Sequence, residues 1–98
     1  MQNQNRLGRP CGKRRVKFDP KIKYFKPQGV PVANLEIIEL SKEELEAMRL
    51  KNIKNLDQRE CAEAMKTSPA TLQRILASAY GKITIALVEG KAIKIIND

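Results

Sequence analysis

Residues 57–76 read DQRECAEAMKTSPATLQRIL, and this run decides the fold. Asp57 followed three residues later by Glu60 is a capping-box start: the Asp57 side chain can accept a backbone N–H of the first turn while Glu60 reaches back to the cap. The helix it opens is expected over about 58–65, with Cys61, Ala62 and Met65 on or near one face. Ser68 then Pro69 is a second start signal, a hydroxyl cap followed by a residue preset for the first helical position. Only Lys66, Thr67 and Ser68 separate the two helices. Ala62 is small where they must approach, and Met65, Leu72 and Ile75 are spaced to fill the wedge between them. A short helix, a tight connection and a longer helix is the order of a helix-turn-helix, expected here at about 57–80.

Downstream, Leu72, Ile75, Leu76, Ala79, Ile83, Ala86 and Leu87 continue at helical spacing, so the second helix should be long and amphipathic, reaching about Val88. Gly81 interrupts it at a cost of about 1 kcal/mol relative to Ala, and a bend or break is expected there. Gly90 is a C-terminal stop, and Ala92–Ile96 (AIKII) is a candidate strand that could pair with extended pieces near the N-terminus. Upstream, Ser41 and Glu44 form another capping-box signature, and Glu43, Glu44 and Glu46 suit the positive end of a helix dipole. This helix is expected over about 42–52. Leu35 to Leu40 fits either a helical turn or a short strand. Lys26-Pro27-Gln28-Gly29 and Pro31 mark a loop, and Val16–Phe25, broken by Asp19-Pro20, reads as short extended pieces. Residues 1–15 hold too few apolar side chains to offset ordering entropy and are expected to be disordered or weakly ordered. The fold class is therefore mainly α: a three-helix helix-turn-helix core with short N- and C-terminal β strands and a basic N-terminal arm.

With 98 residues the chain is one domain's length, and with two Tyr, two Phe and no Trp its core must rest on Leu, Ile, Val, Ala and Met. There is no apolar run of membrane-spanning length and no signal-peptide pattern, so a cytoplasmic protein is expected. Cys11 and Cys61 lie in segments of opposite character, which argues against a disulfide; Cys61 reads as a small buried apolar residue. Without histidine or a Cys-x-x-Cys pair, no metal site, no cofactor and no enzyme activity is expected.

The formal charge of +8 is unevenly placed. Residues 1–29 contain Arg6, Arg9, Lys13, Arg14, Arg15, Lys17, Lys21, Lys23 and Lys26 against Asp19 alone, while bases and acids balance over 30–98. Two units follow, a basic arm over 1–29 and a helix-turn-helix domain over 30–98. Such a charge imbalance points to a polyanion, because neutralised phosphates release condensed counterions. Double-stranded DNA is the first candidate partner. At the start of the second helix Thr67, Ser68, Ala70, Thr71, Gln73 and Arg74 should face outward, where Arg74 could pair with guanine, Gln73 with adenine, and Ala70 or a threonine methyl could touch thymine. In the arm, Gly8-Arg9-Pro10, flanked by Arg6, Lys13, Arg14 and Arg15, has the slim basic character of segments that follow a narrow A·T-rich minor groove. A basic tail making phosphate contacts alone, or a basic strand packed on the core, are the other readings. Tyr24 and Phe25 beside the Pro-Gly loop should anchor the arm to the core.

The run from Leu40 to Ile93, LSKEELEAMRLKNIKNLDQRECAEAMKTSPATLQRILASAYGKITIALVEGKAI, resembles the prokaryotic family known as domain of unknown function 134, as do the upstream pieces GRP, KRRV and YFKPQGVP. The motif in turn is similar to region 4 of sigma-70 factors. This resemblance implies a DNA-binding role. Two positions depart from the pattern: Lys66 stands where glycine is usual and Thr67 where an aliphatic residue is usual, and a left-handed lysine carries a steric cost that glycine avoids. The leading functional expectation is a transcriptional regulator that reads the major groove with the helix starting at Ser68. The alternatives are a sigma-like module that docks on polymerase or another protein, and RNA binding through the arm. A homodimer, through AIKII or the far end of the long helix, would suit a protein that spans two half-sites.

Overall fold

The computed structural model describes residues 16, 17 and 20–96. In chain order it places strand β1 (Tyr24–Phe25), a 3-10 turn (Val32–Asn34), strand β2 (Ile37–Ser41), helix α1 (Lys42–Met48), a π-helical segment (Arg49–Ile53), helix α2 (Gln58–Ala64), helix α3 (Pro69–Glu89) and strand β3 (Ala92–Ile96). Three helices with a small sheet make the protein mainly α, as the capping signals imply.

Each helix starts at its capping signal. Ser41 Oγ accepts the Glu44 amide at 3.0 Å while Glu44 Oε1 accepts the Ser41 amide at 2.9 Å. Asp57 and Glu60 repeat the exchange at 2.8 and 2.9 Å, and Ser68 Oγ accepts the Thr71 amide at 3.1 Å behind Pro69. The first helix ends differently from expectation. After Met48 the backbone widens into π geometry, with the Lys54 amide reaching back to the Arg49 carbonyl at 3.0 Å. Asn55, at φ 60°, then reverses the chain; asparagine is among the few non-glycine residues that take this conformation readily.

The α2–α3 connection closes as a Schellman motif. Lys66 N–H donates to the Glu63 carbonyl at 3.1 Å and Thr67 N–H to the Ala62 carbonyl at 2.9 Å, with Lys66 at φ 56° in the position usually given to glycine. The expected left-handed lysine is thus present.

No break occurs at Gly81. Helix α3 runs through it to a left-handed Gly90, where the Lys91 amide bonds the Ala86 carbonyl at 2.9 Å. The glycine cost of about 1 kcal/mol is small against the burial of Ala79 and Ala86 on either side and the ion pair from Lys82 to Glu44. One rigid helix therefore spans both parts of the core. Its N-terminal half packs Leu72 and Leu76 with Ala47, Leu50, Cys61, Ala62 and Met65. Its C-terminal half lays Ala79 against Leu40 and Ile95 of the sheet.

The sheet has order β1-β3-β2. The expected AIKII strand is its centre, antiparallel to β1 (Tyr24↔Lys94, Phe25↔Ile93) and parallel to β2 from Ile37↔Ala92 to Ser41↔Ile96. The segment 35–40, which fits either helix or strand by its pattern, supplies the edge strand β2, and the three helices form the crossover that a parallel pair requires. Tyr24 and Phe25 do hold the incoming chain to the sheet, but by backbone pairing: the two residues are 36% and 54% exposed.

Two buried carboxylates tie these layers together. Glu46 receives Arg49 Nε at 2.8 Å and Nη2 at 3.0 Å, and also accepts the Lys17 amide at 3.3 Å, which fixes the chain upstream of the sheet to α1. Glu44 accepts the Ser78 hydroxyl and Lys82 Nζ, binding α1 to α3. Burial alone would raise the Glu44 carboxyl, but the Ser78 hydroxyl, the Ser41 amide and the Lys82 ammonium outweigh it and hold it below its usual value. A carboxyl lowered on folding contributes stability that is complete above the unfolded range near 4.5 and is lost as pH falls through the folded value. Thermal melting should therefore show a loss of stability on acidification below that range, and Glu44→Gln should flatten it. Because Lys82 is a third exposed and can be rehydrated, the variant should cost only about 1–2 kcal/mol at neutral pH. An acid profile identical in the variant would remove Glu44 from this role.

Candidate nucleic-acid interface

The α2–turn–α3 unit gives the outward residues their geometry. Leu72 and Leu76 are buried, so the helical period turns Ala70, Gln73, Arg74 and Ala77 to the opposite side, and all four are exposed. They form one face at the N-terminal end of α3. No carboxylate occurs in α3 before Glu89, so nothing on this face would repel a phosphate.

The other expected site residues behave differently. Thr67 and Thr71 are half-buried, and the amide of Thr67 is spent in the turn. Ser68 is exposed, but its hydroxyl caps Thr71 and donates to Thr71 Oγ1 at 3.0 Å. Ser68 and Thr71 thus shape the helix start, leaving Ala70, Gln73 and Arg74 as the exposed residues of the expected set whose side chains no helix cap engages. The arm residues Arg6, Gly8, Arg9, Pro10, Lys13, Arg14 and Arg15 lie outside the described residues.

One further residue that motif spacing did not single out joins this surface. Gln58 Nε2 donates to the Pro69 carbonyl at 3.2 Å, which brings the start of α2 beside the start of α3. Arg59, next to Gln58, and Lys66, in the turn, are both exposed. Both cations carry a signal in the sequence. Arg59 places a positive charge in the first turn of a helix, against its dipole, and Lys66 occupies a left-handed position that glycine would fill without strain. Both choices oppose local stability, and both put an exposed cation on the segment that leads into α3.

Beneath this surface Cys61 is fully buried with a free thiol, as expected of a small apolar packing residue. Burial pushes its thiol up, and Lys51 offsets only part of that effect, so Cys61 is an inert part of the core.

Residues 4–98 match the family described as "Protein of unknown function DUF134". The chain belongs to the DUF134 family. Relatives named UPF0251 protein include one from Desulforudis audaxviator, 51% identical over 91% of this chain and 58% of its own length, and one from Clostridium tetani, 53% identical over 91% and 60%. Another from Caldanaerobacter subterraneus is 51% identical over 91% of this chain and 75% of its own. This DUF134 chain therefore spans less than two thirds of the length of several relatives that it matches. No solved structure matches it. Among the described residues no helix is long and apolar enough to cross a membrane.

Proposed function

We propose that this DUF134 protein is a DNA-binding transcriptional regulator that inserts the N-terminal half of α3 into the major groove. The observation that carries the reading is the exposed Ala70–Gln73–Arg74 face on the first turns of a long helix that is held rigidly by α1 and α2 and has no carboxylate before Glu89. The α2–turn–α3 unit has the connectivity of a helix-turn-helix, in which the second helix reads base edges while the first helix lies across the backbone. Arg74 offers a bidentate fork for guanine and Gln73 an amide for adenine. Gln58, Arg59 and Lys66 are the phosphate contacts that set the register, and the arm cations add sequence-independent affinity.

The test begins with selection of bound duplexes from a random pool, followed by binding isotherms for the wild type and Arg74→Ala. The variant should lose about 1–3 kcal/mol on the selected site while scarcely changing on random DNA. Equal losses on both would leave Arg74 as a phosphate contact only. Failure to enrich any duplex would refute the base-reading role of α3.

A further inference from the structure

The connection between α1 and α2 departs from regular geometry twice. After Met48 the backbone widens into the π-helical segment Arg49–Ile53, and Asn55 then takes the left-handed conformation at φ 60°. Burial does not account for the shape of this stretch, since residues 51–55 are all exposed and Ile53 is 72% exposed. Single π-helical turns and left-handed non-glycine residues cost free energy and concentrate at functional sites.

The same stretch gathers positive charge. Residues 47–56 contain Arg49, Lys51 and Lys54 and no acid, within a domain, 30–98, that is formally neutral. Arg49 is held by Glu46. Lys51 and Lys54 are exposed, and among the described residues neither forms an ion pair with a carboxylate.

Asn52, between these two lysines, fixes where the stretch lies. Its Nδ2 donates to the Tyr80 hydroxyl of α3 at 2.7 Å and to the Met48 carbonyl at 3.2 Å. Tyr80 follows Gln73 by two helical turns, so both lie on the same side of α3. The exposed residues Ala70, Gln73, Arg74 and Ala77 therefore fall between two flanks. Gln58 marks one flank by its bond to the Pro69 carbonyl, and Asn52 marks the other at Tyr80. At 1.5 Å per residue the two lie roughly 16 Å apart along α3. That matches the scale of a major groove about 12 Å wide, bordered on each side by a phosphate strand.

We infer that the α1–α2 connection is a second phosphate-binding element, in which Lys51 and Lys54 meet the DNA strand on the Tyr80 side of the groove. Gln58 and Arg59 meet the strand on the other side. The inference rests on the DNA reading of α3 and adds a contact which that reading does not contain. Phosphate contacts position a protein on the duplex without reading its sequence, and contacts on both borders of a groove constrain a helix more than contacts on one. The widened turn has a role in this arrangement: it presents Asn52 to Tyr80 and keeps a lysine on either side of that contact.

Binding isotherms over a salt series, on the selected duplex and on a random one, test the element. The double variant Lys51→Gln with Lys54→Gln is compared with Lys94→Gln, which removes a charge from the exposed side of β3. All three positions are exposed, so the variants should melt within error of the wild type. Each lysine that neutralises a phosphate contributes about 0.9 to the slope of log affinity against log salt, so the double variant should lower the slope by up to about 2. It should weaken both duplexes by a similar factor, whereas Lys94→Gln should leave the slope nearly unchanged. An unchanged slope in the double variant, or an equal fall per charge in Lys94→Gln, overturns the inference and leaves base reading by Arg74 intact. If selection enriches no duplex but the slope on random DNA still falls with Lys51 and Lys54, base reading by α3 fails and the phosphate-binding element stands. A wild type that binds no duplex refutes both.

Discussion

Deletion of residues 1–15 is expected to leave the fold intact and to reduce the salt dependence of DNA binding more than any substitution on α3. The segment carries Arg6, Arg9, Lys13, Arg14 and Arg15, whereas residues 30–98 are formally neutral. The two hydrophobic clusters of the core are built from residues between Leu40 and Ile95, so the melting temperature should be nearly unchanged. If each of the five cations neutralises one phosphate, the slope of log affinity against log salt should fall by up to about 4–5. Near physiological salt such a change corresponds to orders of magnitude in affinity, larger than the roughly tenfold or hundredfold expected from one base contact. Major-groove site ranking should be retained, since the proposed base readout resides in Gln73 and Arg74. A lost preference for A·T-rich flanks would mark Gly8-Arg9-Pro10 as a minor-groove segment, and an unaltered flank preference would mark a purely electrostatic tail. Isotherms over a salt series on two flanking sequences distinguish these cases, and an unchanged slope rejects both.

Leu72→Ala should produce the largest loss of stability. Leu72 is fully buried among Ala47, Leu50, Ala62, Met65 and Leu76, where α1, α2 and α3 meet. Truncation removes the transfer free energy of the deleted methyl and methylene groups and leaves a cavity whose walls, fixed by three capped helices, can relax only in part. The expected cost is about 2–5 kcal/mol, and at roughly 4–8 °C per kcal/mol for a domain of this size the melting temperature should fall by about 10 °C or more. DNA binding should weaken in parallel on cognate and random duplexes, because displacement of α3 moves the whole Ala70–Gln73–Arg74 face and its neighbouring cations together. A melting temperature within error of the wild type would show that this register of α2 against α3 is wrong.

Neighbouring residues alone settle the helix starts and the pairing of α2 with α3. Capping acts across three or four positions, so Ser41 with Glu44, Asp57 with Glu60, and Ser68 with Pro69 are legible directly, as is the strain at Lys66. The helical period also turns Ala70, Gln73 and Arg74 outward once Leu72 fills the wedge. The remaining features each depend on partners far along the chain, and packing settles them. Residues 37–41 become a strand because β3 supplies a parallel partner more than fifty residues later, a pairing that leaves no local signal. Gly81 does not break α3 because packing on both sides and the Lys82–Glu44 ion pair outweigh an intrinsic preference of about 1 kcal/mol. Ser68 and Thr71 are legible as polar and near the motif, but only the folded geometry shows their hydroxyls engaged with each other. Gln58 reaches the start of α3 for the same reason: the distance between them in the chain is closed by the burial of Ala62, Met65 and Leu72, and not by any property of Gln58 itself.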